Sequence, residues 1–109
     1  DKEVRSTAIF AIGQIEPATA PPALIEALRD SDPEVRQAAA HAAGQIGDRT
    51  AVAALTPLLQ DSVVDVRRAA LAALMSVGDV SAVDALVQLL QDPDPEIRKA
   101  AASALGRIR

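Results

Sequence analysis

His41 is the only histidine in the chain, and it is the first residue from which chemistry could be asked. A relay of the serine, histidine and acid type needs a hydroxyl and a carboxylate within hydrogen-bond reach of the imidazole. Three and four residues from His41 lie Gln37, Ala38, Gly44 and Gln45, which supply neither. One imidazole with no carboxylate on the same helical face is no metal site, and the absence of cysteine removes thiolate catalysis and zinc-thiolate centres as well. Acidic pairs such as Asp92 and Asp94 have the residue types for general acid-base work, but they lie at turns and recur with the repeat, as at Asp30 and Asp32, which fits a structural duty better. The string Gly44-Gln45-Ile46-Gly47 lacks the Lys-Ser/Thr of a phosphate loop and ends a helix where such a loop would begin one. The reactive residue types therefore point away from catalysis, and the expectation is a protein with no cofactor and no metal.

Charged residues that recur at a fixed interval must be held by elements that recur too. Arg5, Arg36, Arg67 and Arg98 are spaced by one period, and so are Asp30, Asp61 and Asp92, and Asp48 with Asp79. Residues 1–31 and 32–62 are identical at 16 of 31 positions, and 32–62 match 63–93 at 15. Chance would give roughly 3. The chain divides into three full units, 1–31, 32–62 and 63–93, and a half unit, 94–109, forming one domain over 1–109. A charge needed in every unit is explained by stacking, since a ligand would need it once.

Each unit reads as two helices. The first starts at Asp32 as N-cap with Pro33 behind it, a signal repeated at Asp94-Pro95. In the third unit the pair is lost, and Ser62-Val63-Val64-Asp65 has the spacing to start the helix one residue early. Val35, Ala39, Ala42, Ala43 and Ile46 fall on one helical face, and Gly47 and Gly78 follow where a left-handed cap is expected. The second helix is expected to start at Thr19, Thr50 or Ser81 and to bury Ala51, Val52, Leu55, Leu58 and Leu59, with Ala82, Val83, Leu86, Leu89 and Leu90 as counterparts. Pro21 and Pro22 fall in its first turn, and Pro57 predicts a kink. Neither helix can bury its apolar face alone. The fold expected is all-α, an α-solenoid of about seven helices built from 31-residue helix pairs.

Composition agrees. Half of the 109 residues are hydrophobic, yet Phe10 is the only aromatic residue and alanine fills 24 positions, so the helices must pack closely through small side chains. The net charge of −4 argues against a nucleic-acid or anionic-membrane partner engaged by the whole surface. No apolar run approaches the ~18 residues of a membrane span and no secretory signal opens the chain. A cytoplasmic protein is expected, and the missing initiator methionine suggests an excerpt of a longer one.

The unit over residues 32–61, D-P-E-V-R-x-A-A-A-x-A-x-G-x-I-G-D-x-x-A-V-x-x-L-x-x-L-L-x-D, resembles the short HEAT-like repeat of phycobilin-lyase-type proteins along essentially the whole chain. Met75 in place of glycine, Glu16-Pro17 in place of Gly-Asp, and Val63-Val64 in place of Asp-Pro depart from that pattern. The resemblance implies Asp and Arg ladders between repeats. It also extends to deoxyhypusine hydroxylases, whose iron-binding His-Glu pairs would fall near Gln37 and Ala38, where this chain has neither residue.

What remains for function is the variable strip of first-helix positions along the flank of the buried stripe: Glu3, Ser6, Thr7, Phe10 and Gln14; Glu34, Gln37, Ala38, His41 and Gln45; Asp65, Arg68, Ala69, Ala72 and Ser76; Glu96, Lys99, Ala100, Ser103 and Arg107. A non-catalytic protein-interaction scaffold is the leading reading, binding a protein or peptide partner through Phe10, Gln14, Gln37, His41, Gln45, Arg68, Lys99 and Arg107. One alternative is a helper in tetrapyrrole attachment of the phycobilin-lyase kind. Another is nucleic-acid binding through Arg68, Lys99 and Arg107, which the lack of Trp and Tyr for base stacking disfavours. Ile9, Ile12, Leu105 and Ile108 are expected to be exposed at the two ends and to drive weak end-to-end self-association.

Overall fold

A computed structural model of the chain describes residues 1–15, 21–47, 49–77 and 83–107. These form seven α-helices: α1 (Lys2–Ile15), α2 (Pro22–Ala27), α3 (Pro33–Ile46), α4 (Arg49–Leu55), α5 (Val64–Val77), α6 (Val83–Leu89) and α7 (Pro95–Arg107). A 3-10 segment, Thr56–Gln60, continues α4, and no strand occurs among the described residues. The odd-numbered helices stack in one layer, α3 lying between α1 and α5, while α2 and α4 each bridge two successive members of that layer. This is an all-α solenoid, a flattened block with Cα extents of 35 × 27 × 16 Å.

Local chemistry starts the first helices where the caps predict. Asp32 accepts the Glu34 N–H at 2.9 Å with Pro33 in the first helical position, and Asp94 accepts the Glu96 N–H at 3.1 Å. Gly47, at φ 70°, ends α3 in the left-handed conformation, with its N–H on the Ala43 carbonyl. Gly78 lies outside the described residues. The third unit departs from expectation: α5 begins at Val64, in register with Pro33 and Pro95, so Ser62 is not its cap. The Asp61 carboxylate instead takes the Val63 N–H at 2.9 Å and holds the turn.

Two of the second helices, α2 and α4, start differently from the hydroxyl rule. Pro21 is the extended N-cap of α2 and Pro22 its first residue, beyond Thr19, which lies outside the described residues with Ser81. Thr50 sits inside the first turn of α4 because that helix already begins at Arg49. The kink at Pro57 takes the form of the 3-10 segment. Proline is not its sole cause, because Arg29, Asp30, Leu90 and Gln91 also donate to carbonyls three residues back. Tightening is a property of every second helix, and Pro57, which has no N–H to give, lengthens it.

The core is aliphatic. Leu24, Leu28, Leu55, Leu59, Leu86 and Leu89 of the second layer are fully buried, as are Val35, Val66 and Ile97 at the start of the first helices. Between first helices the spacers are alanine and glycine. A Cβ on Gly44 would lie 2.8 Å from the Ala73 Cβ, a separation only glycine permits, so α3 and α5 meet almost backbone to backbone. Met75 occupies the equivalent place on α5, and α7 packs chiefly on α6, with much less contact to α5.

The ends are not as expected. Ile9 is buried, because its helical position faces the second layer, beside Ala23 and Ala27 of α2. Ile12 and Leu105 are half-buried, and Ile108 lies outside the described residues. The large apolar side chains exposed on α1 are Val4 and Phe10.

Candidate functional site

Two edges of the solenoid carry charged and polar side chains in quantity. Along one of them runs an arginine-aspartate ladder. Arg36 holds Asp61 through Nε–Oδ2 at 2.8 Å and Nη2–Oδ1 at 3.2 Å, while its Nη1 reaches back to the Asp30 carbonyl at 2.7 Å. Arg67 repeats this with Asp92 at 2.9 and 3.4 Å and the Asp61 carbonyl at 2.8 Å. Arg5 pairs with Asp30 at 2.8 Å, and Arg98 reaches the Asp92 carbonyl at 2.6 Å. Arg36 and Arg67 thus each tie their own unit closed and pin it to the unit before, while Arg5 does only the first and Arg98 only the second. The aspartates serve twice, since Asp30, Asp61 and Asp92 also accept the N–H two residues on. That backbone donation is the main reason the Asp30 carboxyl ionises below its ordinary value, with burial opposing and Arg5 assisting. In the interior units the arginine forks and the aspartate carboxylates are spent on one another and on the turns. The ladder is structural, as its periodicity implied, and Asp48 and Asp79 add nothing because neither lies among the described residues.

On the other edge the variable strip faces solvent. Phe10 is 63% exposed, and Gln14, His41, Gln45, Ala72, Ser76, Lys99, Ser103 and Arg107 are exposed with it. Gln37 is half-buried. Ala69, expected in the strip, is buried instead, because this position turns toward the neighbouring helix in the interior units, and Ala38 and Ala100 are half-buried. Between α3 and α5 the strip is concave. Gln37, His41, Asp65, Arg68, Ala69 and Ala72 line a depression of about 280 Å³. Its continuation of about 290 Å³ is lined by His41, Gly44, Gln45, Ala72, Ala73 and Ser76. The two share His41 and Ala72, forming one shallow groove floored by the glycine and alanines that let the helices approach. The structure therefore brings together Gln37, His41, Gln45 and Arg68, places Phe10 and Gln14 on the adjoining α1, and leaves Lys99 and Arg107 on α7.

Arg68 is not a free cation. Its Nη2 and Nε lie 2.8 and 3.1 Å from Asp94 Oδ2, and Asp65 stands 3.9 Å away. Burial raises the Asp94 carboxyl, but the Arg68 hydrogen bond and the Glu96 N–H together outweigh it and hold the group below its ordinary value. The basic strip of Arg68, Lys99 and Arg107 is thereby partly neutralised at its first member. Spacing alone could have signalled this, since an arginine at the sixth position of one unit faces the aspartate that opens the next. At the other end of the stack, Lys2 makes the comparable link to Glu34 at 3.3 Å, which raises its pKa.

Among the described residues no group of His, Asp or Glu is placed to hold a metal ion, and no helix is long and apolar enough to cross a membrane. All their buried side-chain nitrogen and oxygen atoms have hydrogen-bond partners.

The sequence model of HEAT repeats matches residues 1–75 and 60–109. No curated protein matches the chain. Among solved structures it is similar to the complex of CpcE and CpcF of phycocyanin lyase from Nostoc sp. PCC7120, with a TM-score of 0.77 and 30% identity over 94% of this chain and 43% of that one. An engineered protein matches with a TM-score of 0.70 and 26% identity over 99% of this chain and 57% of the other. Human deoxyhypusine hydroxylase, in complex with glycerol, matches with a TM-score of 0.69 and 25% identity over 97% of this chain and 45% of the enzyme. The chain spans about half the length of the proteins it resembles.

Proposed function

Because the chain belongs to the HEAT-repeat family over its whole length, we propose that it is a non-catalytic, cytoplasmic protein-interaction module that receives a protein or peptide partner on the first-helix face. The observation that carries this reading is the groove between α3 and α5. Gln37, His41 and Gln45 line it without side-chain ion pairs, above a floor of Gly44, Ala69, Ala72 and Ala73. Small floor residues leave room for a partner's backbone, and two carboxamides offer donors and acceptors to it. Phe10, exposed one helix away, supplies an apolar anchor. The paired arginines and aspartates of the ladder's interior rungs are already taken up by one another. A nucleic-acid role loses support, since Arg68 is engaged by Asp94 and the whole chain is acidic.

The test compares proteins retained by the immobilised chain with those retained by Gln37→Ala/His41→Glu/Gln45→Ala, followed by measurement of affinity for each candidate. Loss on the triple variant, with helicity unchanged, is expected. A partner held equally by both would refute the assignment of this face.

The similarity to a phycocyanin lyase complex supports a second reading, assistance in tetrapyrrole attachment. Mixing the chain with a free bilin and recording visible absorbance separates the two, because an interaction module leaves the pigment spectrum unchanged.

A further inference from the structure

One junction of the stack is built differently from the next. Where the second unit meets the third, Gln60 Nε2 donates to Gln88 Oε1 at 3.3 Å, a side-chain bond between the 3-10 segment and α6. One period earlier the same two positions hold Arg29 and Pro57, and a proline side chain has no acceptor to complete the bond. A cleft of about 420 Å³ lies there, between the end of the first unit and the second helix of the next. Leu28, Ala53, Ala54, Pro57 and Leu58 give it an apolar lining, and Ala53 stands where the following unit has Asp84. The Arg36–Asp61 rung also borders it with its charges spent on each other, and Asp30 is held by Arg5. Arg29 is exposed, and its guanidinium has no hydrogen bond or ion pair among the described residues. The cleft thus joins an unpaired cation to an aliphatic surface, and both of its walls belong to adjacent units inside the stack.

We propose that this cleft takes a glutamate side chain of a partner polypeptide, with its methylenes against Ala53, Pro57 and Leu58 and its carboxylate on Arg29. The occupant is read from the neighbouring junction and from charge complementarity. There Gln88 supplies an aliphatic stem and a terminal acceptor to the donor at position 60. Here the donor is a guanidinium, for which a carboxylate is the matching acceptor. Glutamate has the stem of glutamine with a carboxylate at its end. The partner must bring it, because Pro57 occupies the position from which this chain would supply its own. The cleft lies beside the ladder and shares no residue with the α3–α5 groove, so either can fail without the other.

The probe is the acetylated and amidated peptide Ala-Leu-Glu-Leu-Ala, titrated into the isotope-labelled intact protein and followed by amide chemical shifts. Saturable shifts are expected at residues 28–31 and 53–58. Affinity should fall about tenfold or more with Arg29→Gln in the protein, and equally with glutamine in place of glutamate in the peptide, with no further loss when both are changed. The peptide change cannot disturb the protein's fold, so it separates loss of contact from loss of structure. Arg29→Gln combined with Pro57→Gln, which restores the pair found at positions 60 and 88, should keep the helicity and close the cleft to the peptide. Binding is expected to be unaffected by His41→Glu, which belongs to the other face. Absence of saturation at about 10 mM peptide, equal binding of the glutamate and glutamine peptides, or indifference to Arg29 would overturn the proposal. So would sodium acetate giving the same shifts at the same concentrations, which would reduce the cleft to an unspecific anion contact. Concentration-dependent association abolished by Arg29→Gln would assign the occupant to a second copy and would count equally against it.

Discussion

His41 and Ala42 are consecutive in sequence and opposite in duty, one exposed in the groove and the other buried beneath it. Phe10→Ala and His41→Glu should each weaken partner binding by about 1 kcal/mol or more while thermal unfolding followed by circular dichroism moves little. Ala42→Glu should do the reverse. An unpaired carboxylate in that packed stripe costs several kcal/mol of the ~5 to 15 that holds a domain folded, and the unit should melt. Early melting of Phe10→Ala would make Phe10 core and remove it from the binding face. Acid acts on a different set of side chains. Asp30 and Asp94 ionise below the 3.8 of an ordinary aspartate when folded. Their stabilising contribution is therefore complete above that value and is lost as pH falls through the lowered folded-state values. Helicity should hold from neutral pH to about 4 and decline below it. Asp30→Asn should make the decline shallower, and a midpoint near pH 6 would contradict the assignment.

At the scale of the helix, α3 and α5 meet closely where they cross at Gly44. The atoms that an added Cβ on Gly44 would meet are the Ala73 Cβ at 2.8 Å and the Ala73 Cα at 2.9 Å, neither of which can swing aside. Gly44→Ala should therefore lower stability by about 1 to 3 kcal/mol by forcing the helices apart, despite alanine's better helix propensity. A more stable Gly44→Ala protein in urea unfolding would refute the close packing. The same change at Gly106 meets nothing within 4 Å and should stabilise α7 by a few tenths to about 1 kcal/mol. Helix starts at Asp32-Pro33 and Asp94-Pro95 were legible in the sequence because capping is local. The start of α5 at Val64 was not, because Asp61 and the packing of α5 hold the register without a local cap. Positions 10 and 41 could be assigned to an outer face from their failure to repeat, whereas Ala69 was misplaced because a small residue flanking the buried stripe gives no sign of which neighbour will cover it. The groove itself was invisible, since it depends on the distance between two helices rather than on the pattern along either.

Across the whole molecule, each unit touches chiefly its neighbours, so stability should be graded along the stack. Hydrogen exchange should find α3 and α5, flanked on both sides, more protected than α1 and α7. Uniform protection through all four first helices would indicate a single cooperative block instead. The ladder carries a further consequence, for the chain as it leaves the ribosome. Arg36 cannot close on Asp61 until 25 more residues have been made, by which time its backbone partner at Asp30 is already in place. Arg67 then waits in the same way for Asp92. The solenoid can be assembled as a zipper drawn in the direction of translation, each clasp set one unit behind the growing end. At any moment about one unit's length of apolar helix is left unsheltered, which limits the nascent surface open to aggregation.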